Sequence, residues 1–345
     1  MLRRLTEREQ ISILLDQYSL TIRQAFLDAI ADIRSRITLG LIVERLEKGD
    51  IAGAIDAIHL ERSAFNKVLD QIAAAFNAGG TAAVEALPIL RDPSGHRLVI
   101  RFDARNIEAE NWLREHSSTL VTRIVDDQRE AIRTSMAEGL GQGQNPRSTA
   151  LNVVGRVNRI TGRREGGVIG LSTPQERYVA SARQELLSGD PEAMRNYLGR
   201  GRRDKRFDKT VEKAISEGRA VPADMVAKIT GRYSDRLLEL RGEMLARSET
   251  MTALNVAKSE AMDQAIASGK IDIATVTDVW HSAGDDRVRH THRALNGQSV
   301  PHGQGFRSPS GAFLRFPGDP EAPTSEIVGC RCWLEHKIDF LKGIQ

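Results

Sequence analysis

Apolar residues recur at steps of three and four along most of this chain, which is the period of one face of an α-helix. The first stripe contains Leu14, Ile22, Phe26, Ile30 and Ile33. Aromatic residues make up only 5% of the sequence, a low fraction for a protein built from strands. The pattern therefore predicts a mainly α fold in which more than about half of the residues are helical, against a usual ~30–35%.

Breaks between the apolar stripes predict where helices begin and end. In the N-terminal part the connections are short, which favours an antiparallel bundle, and residues 77–80 (Asn-Ala-Gly-Gly) are typical of a helix end. The predicted helical regions are residues 5–86, 104–139, 148–218 (short helices alternating with basic loops) and 234–268, with a further helix start at 222–224.

The composition changes near residue 270. Five of the eight histidines, both cysteines and five of the eleven prolines fall between His281 and His336. Residues 274–280, 312–316 and 333–338 have the pattern of strands and are separated by turn-rich loops. The predicted domains are an N-terminal helical bundle (1–90), a helical body with long helices (91–269) and a small C-terminal α+β domain (270–345).

Charge and cysteine content exclude several classes of protein. The 49 Lys and Arg residues against 46 Asp and Glu give a net charge of +3, which excludes a histone-like polycation and an acidic tail protein. No apolar run approaches the ~18 residues of a transmembrane helix, and the charged N-terminal segment lacks the pattern of a secretory signal. Two cysteines in one Cys-x-Cys cannot form a disulfide framework, which favours assembly in a reducing cytoplasm.

The C-terminal region carries a series of short motifs. An Asp-x-Arg-x-Arg-x-x-His helix start precedes a Gly-Gln turn, a Phe, a Pro and a closing Cys-Arg-Cys. This segment closely resembles the C-terminal domain of the phage Mu F-like head morphogenesis (minor capsid) proteins, except that Gly329 stands where the family usually has Asn. The matching residues are Asp285, Arg287, Arg289, His292, Gly297, Gln298, Phe306, Pro317, Cys330, Arg331 and Cys332.

A second match lies upstream of this segment. Ala246, Arg247, Ser248 and Glu249 resemble the Ala-Arg-Thr-Glu of the same family, in the middle of a predicted helix. The resemblance covers roughly residues 100–338 and does not extend to the N-terminal segment.

The resemblance implies a minor head protein of a tailed phage or prophage. Such a protein is a low-copy component of the procapsid and virion, present in the host cytoplasm during assembly, that supports head assembly, DNA packaging or ejection. Its implied partners are the portal protein, the major capsid or scaffold proteins and packaged double-stranded DNA bound without sequence specificity, with no membrane. The implied role is binding rather than enzymatic turnover.

Cys330 and Cys332 are two residues apart, so in a strand both thiols would point to one face and could reach a site shared with His292 or His336. Cys and His are ligands of Zn²⁺, and a metal ion stabilises a small domain that has little core. The more usual zinc spacing is Cys-x₂-Cys, and free cysteines are also common as small apolar core residues. Two interpretations therefore stay open. One is a zinc ion held by His292, Cys330 and Cys332, and the other is a pair of buried thiols without metal.

The charged motif residues have two interpretations. Asp285, Arg287, Arg289 and Arg331 can form a structural ion-pair network, with Arg247 and Glu249 as partners and Asp285 as the N-cap of the following helix. In the alternative, Asp285, His292 and the arginines are an acid–base and phosphate-binding set of a metal-dependent nuclease or hydrolase. The sequence pairs no nucleophile or second carboxylate with His292, which favours the structural network.

A basic segment at residues 200–209 contains six bases and two acids. Such a segment is often only a solvated surface, but in a virion its cations could contact DNA phosphates without reading the sequence. The near-neutral net charge disfavours a general DNA-binding protein unrelated to phage. The candidate DNA contacts are Arg200, Arg202, Arg203, Lys205, Arg206 and Lys209.

Overall fold

The computed structural model describes residues 5–91, 94–339 and 342. Helices account for 62% of the structure, which confirms the mainly α fold with a small α+β part at the C-terminal end. Within the described residues, no helix combines the length and the apolar character that crossing a lipid bilayer requires.

The helices, in chain order, are α1 (Glu7–Ser35), α2 (Leu39–Glu47), α3 (Ile51–Asp56), α4 (Asn66–Ala86), α5 (Ile107–Gly141), α6 (Pro146–Val154), α7 (Thr173–Leu187), α8 (Pro191–Gly199), α9 (Asp208–Ser216), α10 (Ala223–Ala267), α11 (His290–Leu295) and α12 (Thr324–Ile327). The strands are β1 (Arg156–Val157), β2 (Arg164–Glu165), β3 (Val276–His281), β4 (Ser299–Pro301), β5 (Phe306–Arg307), β6 (Phe313–Leu314) and β7 (Trp333–Ile338).

Helix α10 is one continuous helix of 45 residues, where the sequence predicts one helix start at 222–224 and a second helix from Ser234. Serine is a common N-cap, but the Ser234 hydroxyl here donates to the carbonyl of Gly167 instead of capping a helix. Its side chain is therefore satisfied in mid-helix, and α10 continues through it.

Two glycines expected to end helix α4 lie inside it. Gly79 and Gly80 are buried, and α4 continues to Ala86. A Cβ at Gly79 would lie 3.0 Å from the Leu254 side chain, and a Cβ at Gly80 would overlap the ring of Phe102. The glycines thus allow close packing against neighbouring segments, which the sequence pattern did not distinguish from a helix end.

The chain divides into two compact units, each assembled from separate stretches. One contains Met1–Gln24, Val68–Ser117 and Glu243–Gln345, and the other contains Ala25–Lys67 and Ser118–Gly242. Both are discontinuous because the chain passes from one unit to the other four times, within α1, α4, α5 and α10. The three consecutive domains 1–90, 91–269 and 270–345 stay a prediction, and these units do not follow their boundaries.

A three-stranded antiparallel sheet, in the order β4-β3-β7, organises the C-terminal stretch. Trp280 pairs with Leu334 and His281 with Trp333, which confirms the strands predicted at 274–280 and 333–338. The strand predicted at 312–316 is reduced to the two residues of β6. A buried apolar cluster of Leu90, Met262, Ala265, Ile271 and Val276 lies where α10 ends and β3 begins.

Candidate functional site

His292, Cys330 and Cys332 converge in the interior of the C-terminal stretch. The Nδ1 atom of His292, on α11, lies 3.4 Å from Cys330 Sγ and 3.5 Å from Cys332 Sγ. At most 3% of any of the three residues is exposed. We call these three residues the thiol cluster.

The two cysteines reach the thiol cluster from a turn rather than from a strand. Gly329 adopts the left-handed conformation, with φ of 68°, and the Cys330 N–H donates to the carbonyl of Ile327 at the end of α12. Strand β7 begins only at Trp333. The predicted placement of both thiols on one strand face is therefore wrong, although the turn brings them to the same site.

Helix α10 holds the backbone around the cysteines. The Ser248 hydroxyl accepts from the Gly329 N–H at 2.9 Å. The Asn255 amide donates to the Cys332 carbonyl at 3.4 Å and accepts from the Leu334 N–H at 3.3 Å. Sequence reasoning missed Asn255, because a polar residue in mid-helix carries no local signal of a distant backbone partner.

Two aromatic rings pack beside the histidine. The Trp280 ring lies edge-on to His292 at 5.1 Å and to Phe306 at 5.3 Å. All three side chains are almost fully buried, so their packing restricts the orientation of the imidazole ring.

Glu326 contacts the opposite edge of the imidazole. Its Oε2 lies 2.9 Å from His292 Nε2, in close contact but out of line for a hydrogen bond. Its carboxylate accepts hydrogen bonds from Thr291 at 3.0 Å and Ser310 at 2.6 Å. Burial alone would raise the pKa of Glu326, but these hydroxyl donors hold it below its usual value. A carboxylate behind the imidazole leaves Nδ1 directed at the two sulfurs.

The two thiols perturb each other. The Cys332 thiol, together with His292, lowers the pKa of Cys330 well below its usual value. The hydrogen bond with Cys330 and burial raise the pKa of Cys332. The arrangement thus favours one thiolate with a neighbouring thiol, as expected when two like charges would share a buried site.

The donor set of the thiol cluster fits zinc. Ideal tetrahedral Zn²⁺ with the usual bond lengths separates its N and S ligands by ~3.6 Å, close to both nitrogen–sulfur distances observed here. All three donor atoms lie within 4.8 Å of one another. The deep burial of the cluster also fits an ion that stabilises structure, since a substrate would have no access to it.

His336, the other candidate zinc ligand, lies elsewhere. Its Nδ1 is 2.6 Å from Asp278 Oδ1. Among the described residues, His336 belongs to a second group of possible metal ligands and not to the thiol cluster. A strand rises about 3.3 Å per residue, so four positions place His336 about 13 Å beyond Cys332 along the chain, opposite Asp278 of β3.

Asp285 forms a bidentate ion pair with Arg331, with N–O distances of 2.5 and 2.6 Å. The hydrogen bond from Arg331 lowers the pKa of Asp285 to about 2. Arg287 adds a longer contact of 3.6 Å and donates its backbone N–H to the same carboxylate. The predicted N-cap role of Asp285 is wrong: α11 begins later, after Arg289, and Asp285 closes a turn that precedes it.

The remaining motif residues do not join this ion pair. Arg289 donates to the carbonyl of Val328, and Arg247 is exposed. The Glu249 carboxylate lies 2.6 Å from His116 Nε2, on α5, instead of pairing with the arginines of the C-terminal motif. Sequence reasoning missed His116 because it lies 133 positions away from its partner.

The basic segment 200–209 is partly neutralised within its own compact unit. Its ion pairs are Arg200–Glu185 at 2.7 Å, Arg203–Asp208 at 2.9 Å and Arg206–Asp204 at 2.6 Å. The Arg206 guanidinium lowers the pKa of Asp204, which is almost fully buried, to about 2. The other three bases, Arg202, Lys205 and Lys209, are exposed. Three of the six predicted DNA contacts are thus tied to carboxylates.

Comparisons of the chain with protein-family models, with curated proteins and with solved structures find no match. The resemblance to the Mu F-like head morphogenesis proteins therefore rests on the motifs of the chain itself.

Proposed function

We propose that this protein is a minor head protein of a tailed phage or prophage, which binds the portal protein and joins the procapsid during assembly. The observation that carries the proposal is the convergence of the C-terminal motif residues. Asp285 and Arg331 form one bidentate pair, and His292, Cys330 and Cys332 form one buried cluster. The charged pair is engaged with itself and the three other residues are buried, which favours binding over turnover.

Within this function, the thiol cluster holds a zinc ion that stabilises the C-terminal stretch. Zinc supplies a crosslink between segments that are far apart in sequence, and His292, Cys330 and Cys332 would be its protein ligands. Glu326 lies 2.9 Å from His292 Nε2, on the side of the ring away from the ion, where zinc-bound histidines commonly have a carboxylate.

The zinc ligands are tested by cobalt substitution of the full chain. Co²⁺ at the thiol cluster gives thiolate-to-metal charge-transfer bands in the near ultraviolet, and these should vanish in Cys330→Ser/Cys332→Ser. Serine at another buried position, Ala253→Ser, controls for the polarity of the new hydroxyls. A wild-type chain without these bands would show that the two cysteines are simply buried thiols.

Portal binding is tested by co-expressing the chain with the portal protein encoded in the same genome. We expect the two proteins to co-purify and an unrelated phage portal not to be retained. Failure to co-purify, together with absence of the chain from procapsids of the same phage, would overturn the proposed function.

The alternative is a metal-dependent nuclease or hydrolase. Three protein ligands leave one coordination position of a zinc ion open, as in catalytic zinc sites, which is the observation in its favour. The full chain loaded with Zn²⁺, Mg²⁺ or Mn²⁺ should leave plasmid DNA intact. Cleavage that is lost in His292→Ala but kept in His290→Ala, an exposed neighbour on the same helix, would replace the binding role by catalysis.

A further inference from the structure

A second cluster of metal-binding side chains lies on the three-stranded sheet. Asp278 is in the middle of β3, His336 is on β7, and His302 directly follows β4. Asp278 Oδ1 lies 3.0 Å from His302 Nδ1 and 2.6 Å from His336 Nδ1. The three side chains are at most 4% exposed, and their donor atoms lie within 4.8 Å of one another. We call this group the sheet cluster.

The surroundings of the sheet cluster resemble the outer shell of a metal site. Asp263, on α10, contacts the second nitrogen of His302 at 3.0 Å, so both nitrogens of this ring are held by carboxylates. A carboxylate behind a metal-binding imidazole sets its tautomer and directs the other nitrogen at the ion. Asp263 would act here as a positioning residue, while Nδ1 of His302 points at Asp278.

One nitrogen of the sheet cluster lacks a hydrogen-bond partner among the residues that the structure describes. Nε2 of His336 is buried and makes no hydrogen bond within the described part of the chain. His336 also lines a cavity of about 190 Å³, together with Glu7, Lys258 and Glu335. Water in this cavity can accept a hydrogen bond from Nε2–H when Nδ1 is used for an ion.

The charges around the cluster are compatible with a divalent cation. Asp278 and Asp263 together carry two negative charges when ionised, enough to balance the ion. The neighbouring cation, Lys258, is held by the carbonyl of Leu334 and the carboxylate of Glu7. Glu335, which also lines the cavity, pairs with His281.

We propose that Asp278, His302 and His336 bind a first-row divalent transition-metal ion, at a site separate from the thiol cluster. Two imidazole nitrogens and one carboxylate oxygen are donors for Zn²⁺, Fe²⁺ and Co²⁺, whereas thiolates are softer ligands. The ion would join β3, β7 and the end of β4, and through Asp263 it would also fix the sheet to α10. This inference does not depend on the role of the protein in a phage head.

The test uses the full Cys330→Ser/Cys332→Ser chain, which removes the thiol cluster. After dialysis against Co²⁺ it should retain about one ion per chain, with d–d bands but no sulfur charge-transfer band. Asp278→Asn in this background should abolish binding, and Asp263→Asn should weaken it about 10–100-fold. The matched control, Asp286→Asn, changes an exposed carboxylate and should bind Co²⁺ unchanged.

Two results would overturn the proposal. One is a folded Cys330→Ser/Cys332→Ser chain that retains no Co²⁺, and the other is Co²⁺ binding that Asp278→Asn leaves unchanged. Either would mean that the sheet cluster is only a hydrogen-bonded group of one carboxylate and two histidines.

A measurement on the unmodified chain covers the case in which these variants do not fold. Elemental analysis of the zinc-loaded wild type should give about two ions per chain, and X-ray absorption should give an average of about one sulfur and three nitrogen or oxygen ligands per zinc. One zinc per chain with about two sulfur ligands would overturn the sheet site but leave the zinc proposal intact, so the two proposals fail separately.

Discussion

At the scale of single residues, Glu176 shows how burial controls ionisation in this protein. It lies on α7 with 2% of its surface exposed. Burial raises the pKa of its carboxyl group to about 7, and the negative charge of Glu138, on α5, adds to the rise. The Ser135 hydroxyl and the nearby Arg177 and Arg183 oppose it only in part.

The raised pKa makes the free energy of unfolding decrease as the pH rises. In the unfolded chain Glu176 titrates near 4.5, so below that pH it is protonated in both states. Between about 4.5 and 7 the unfolded state releases the proton first, and the stability contributed by the neutral form is lost. The change in the free energy of unfolding caused by Glu176→Gln should therefore be more favourable at pH 8 than at pH 4, by about 1–3 kcal/mol.

Chemical denaturation at both pH values measures this difference. Glu239→Gln, an exposed carboxylate on α10, serves as the control and should not change the pH profile. An identical profile for Glu176→Gln and wild type would show that Glu176 is ionised in the folded protein.

The scale of elements shows which glycines serve packing and which do not. Gly80→Ala places a methyl group against the Phe102 ring, which already packs on Phe76 at 5.6 Å. We expect this overpacking to cost about 1–3 kcal/mol despite the higher helix propensity of alanine. In Gly40→Ala, on α2, the new methyl group meets nothing within 4 Å, so the variant should be stabilised by up to about 1 kcal/mol.

Thermal unfolding compares the two variants directly. A Gly80→Ala protein at least as stable as wild type would mean that α4 and the Phe102 segment separate easily.

The basic segment 200–209 yields a second prediction at this scale, for double-stranded DNA. Arg202, Lys205 and Lys209 are exposed, whereas Arg203 is held by Asp208. If the segment binds DNA, the logarithm of its association constant falls linearly with the logarithm of the salt concentration. Replacing the three exposed bases by alanine should make this slope less steep by about 3, close to one per phosphate contact.

Arg203→Ala is the control, since it should lower stability but leave the salt slope nearly unchanged. Titration of a duplex at several salt concentrations measures the slopes. Equal slopes for the triple variant and wild type would identify the segment as a solvated surface.

At the scale of the whole molecule, metal ions should stabilise one compact unit more than the other. The thiol cluster and the sheet cluster both lie in the unit that contains Glu243–Gln345. Chelation should therefore speed amide hydrogen exchange in β3 and β7 before it affects α7, α8 and α9. Exchange that rises equally in all these elements, or in none, would contradict a metal requirement confined to this unit.

The fold class and the core of the site were predictable because their signals are local. Helical stripes and the strands around Trp280 and Trp333 follow from periodicity, and the motif directed attention to His292, Cys330 and Cys332. Asn255, Glu326 and the sheet cluster were not predicted, because each acts through a partner distant in sequence. The position of Gly80 inside α4 was missed for the same reason, since a glycine pair has the same local pattern at a helix end and in a helix packed against a distant segment.

The discontinuous units have a consequence for synthesis on the ribosome. The stretch Met1–Gln24 belongs to the unit that also needs β7, and translation requires about 15–60 s to pass from one to the other. Until then, the emerging polypeptide cannot complete this unit. A nascent chain that stops early therefore lacks part of this unit and cannot fold it. Its apolar surface stays exposed to chaperones and proteases.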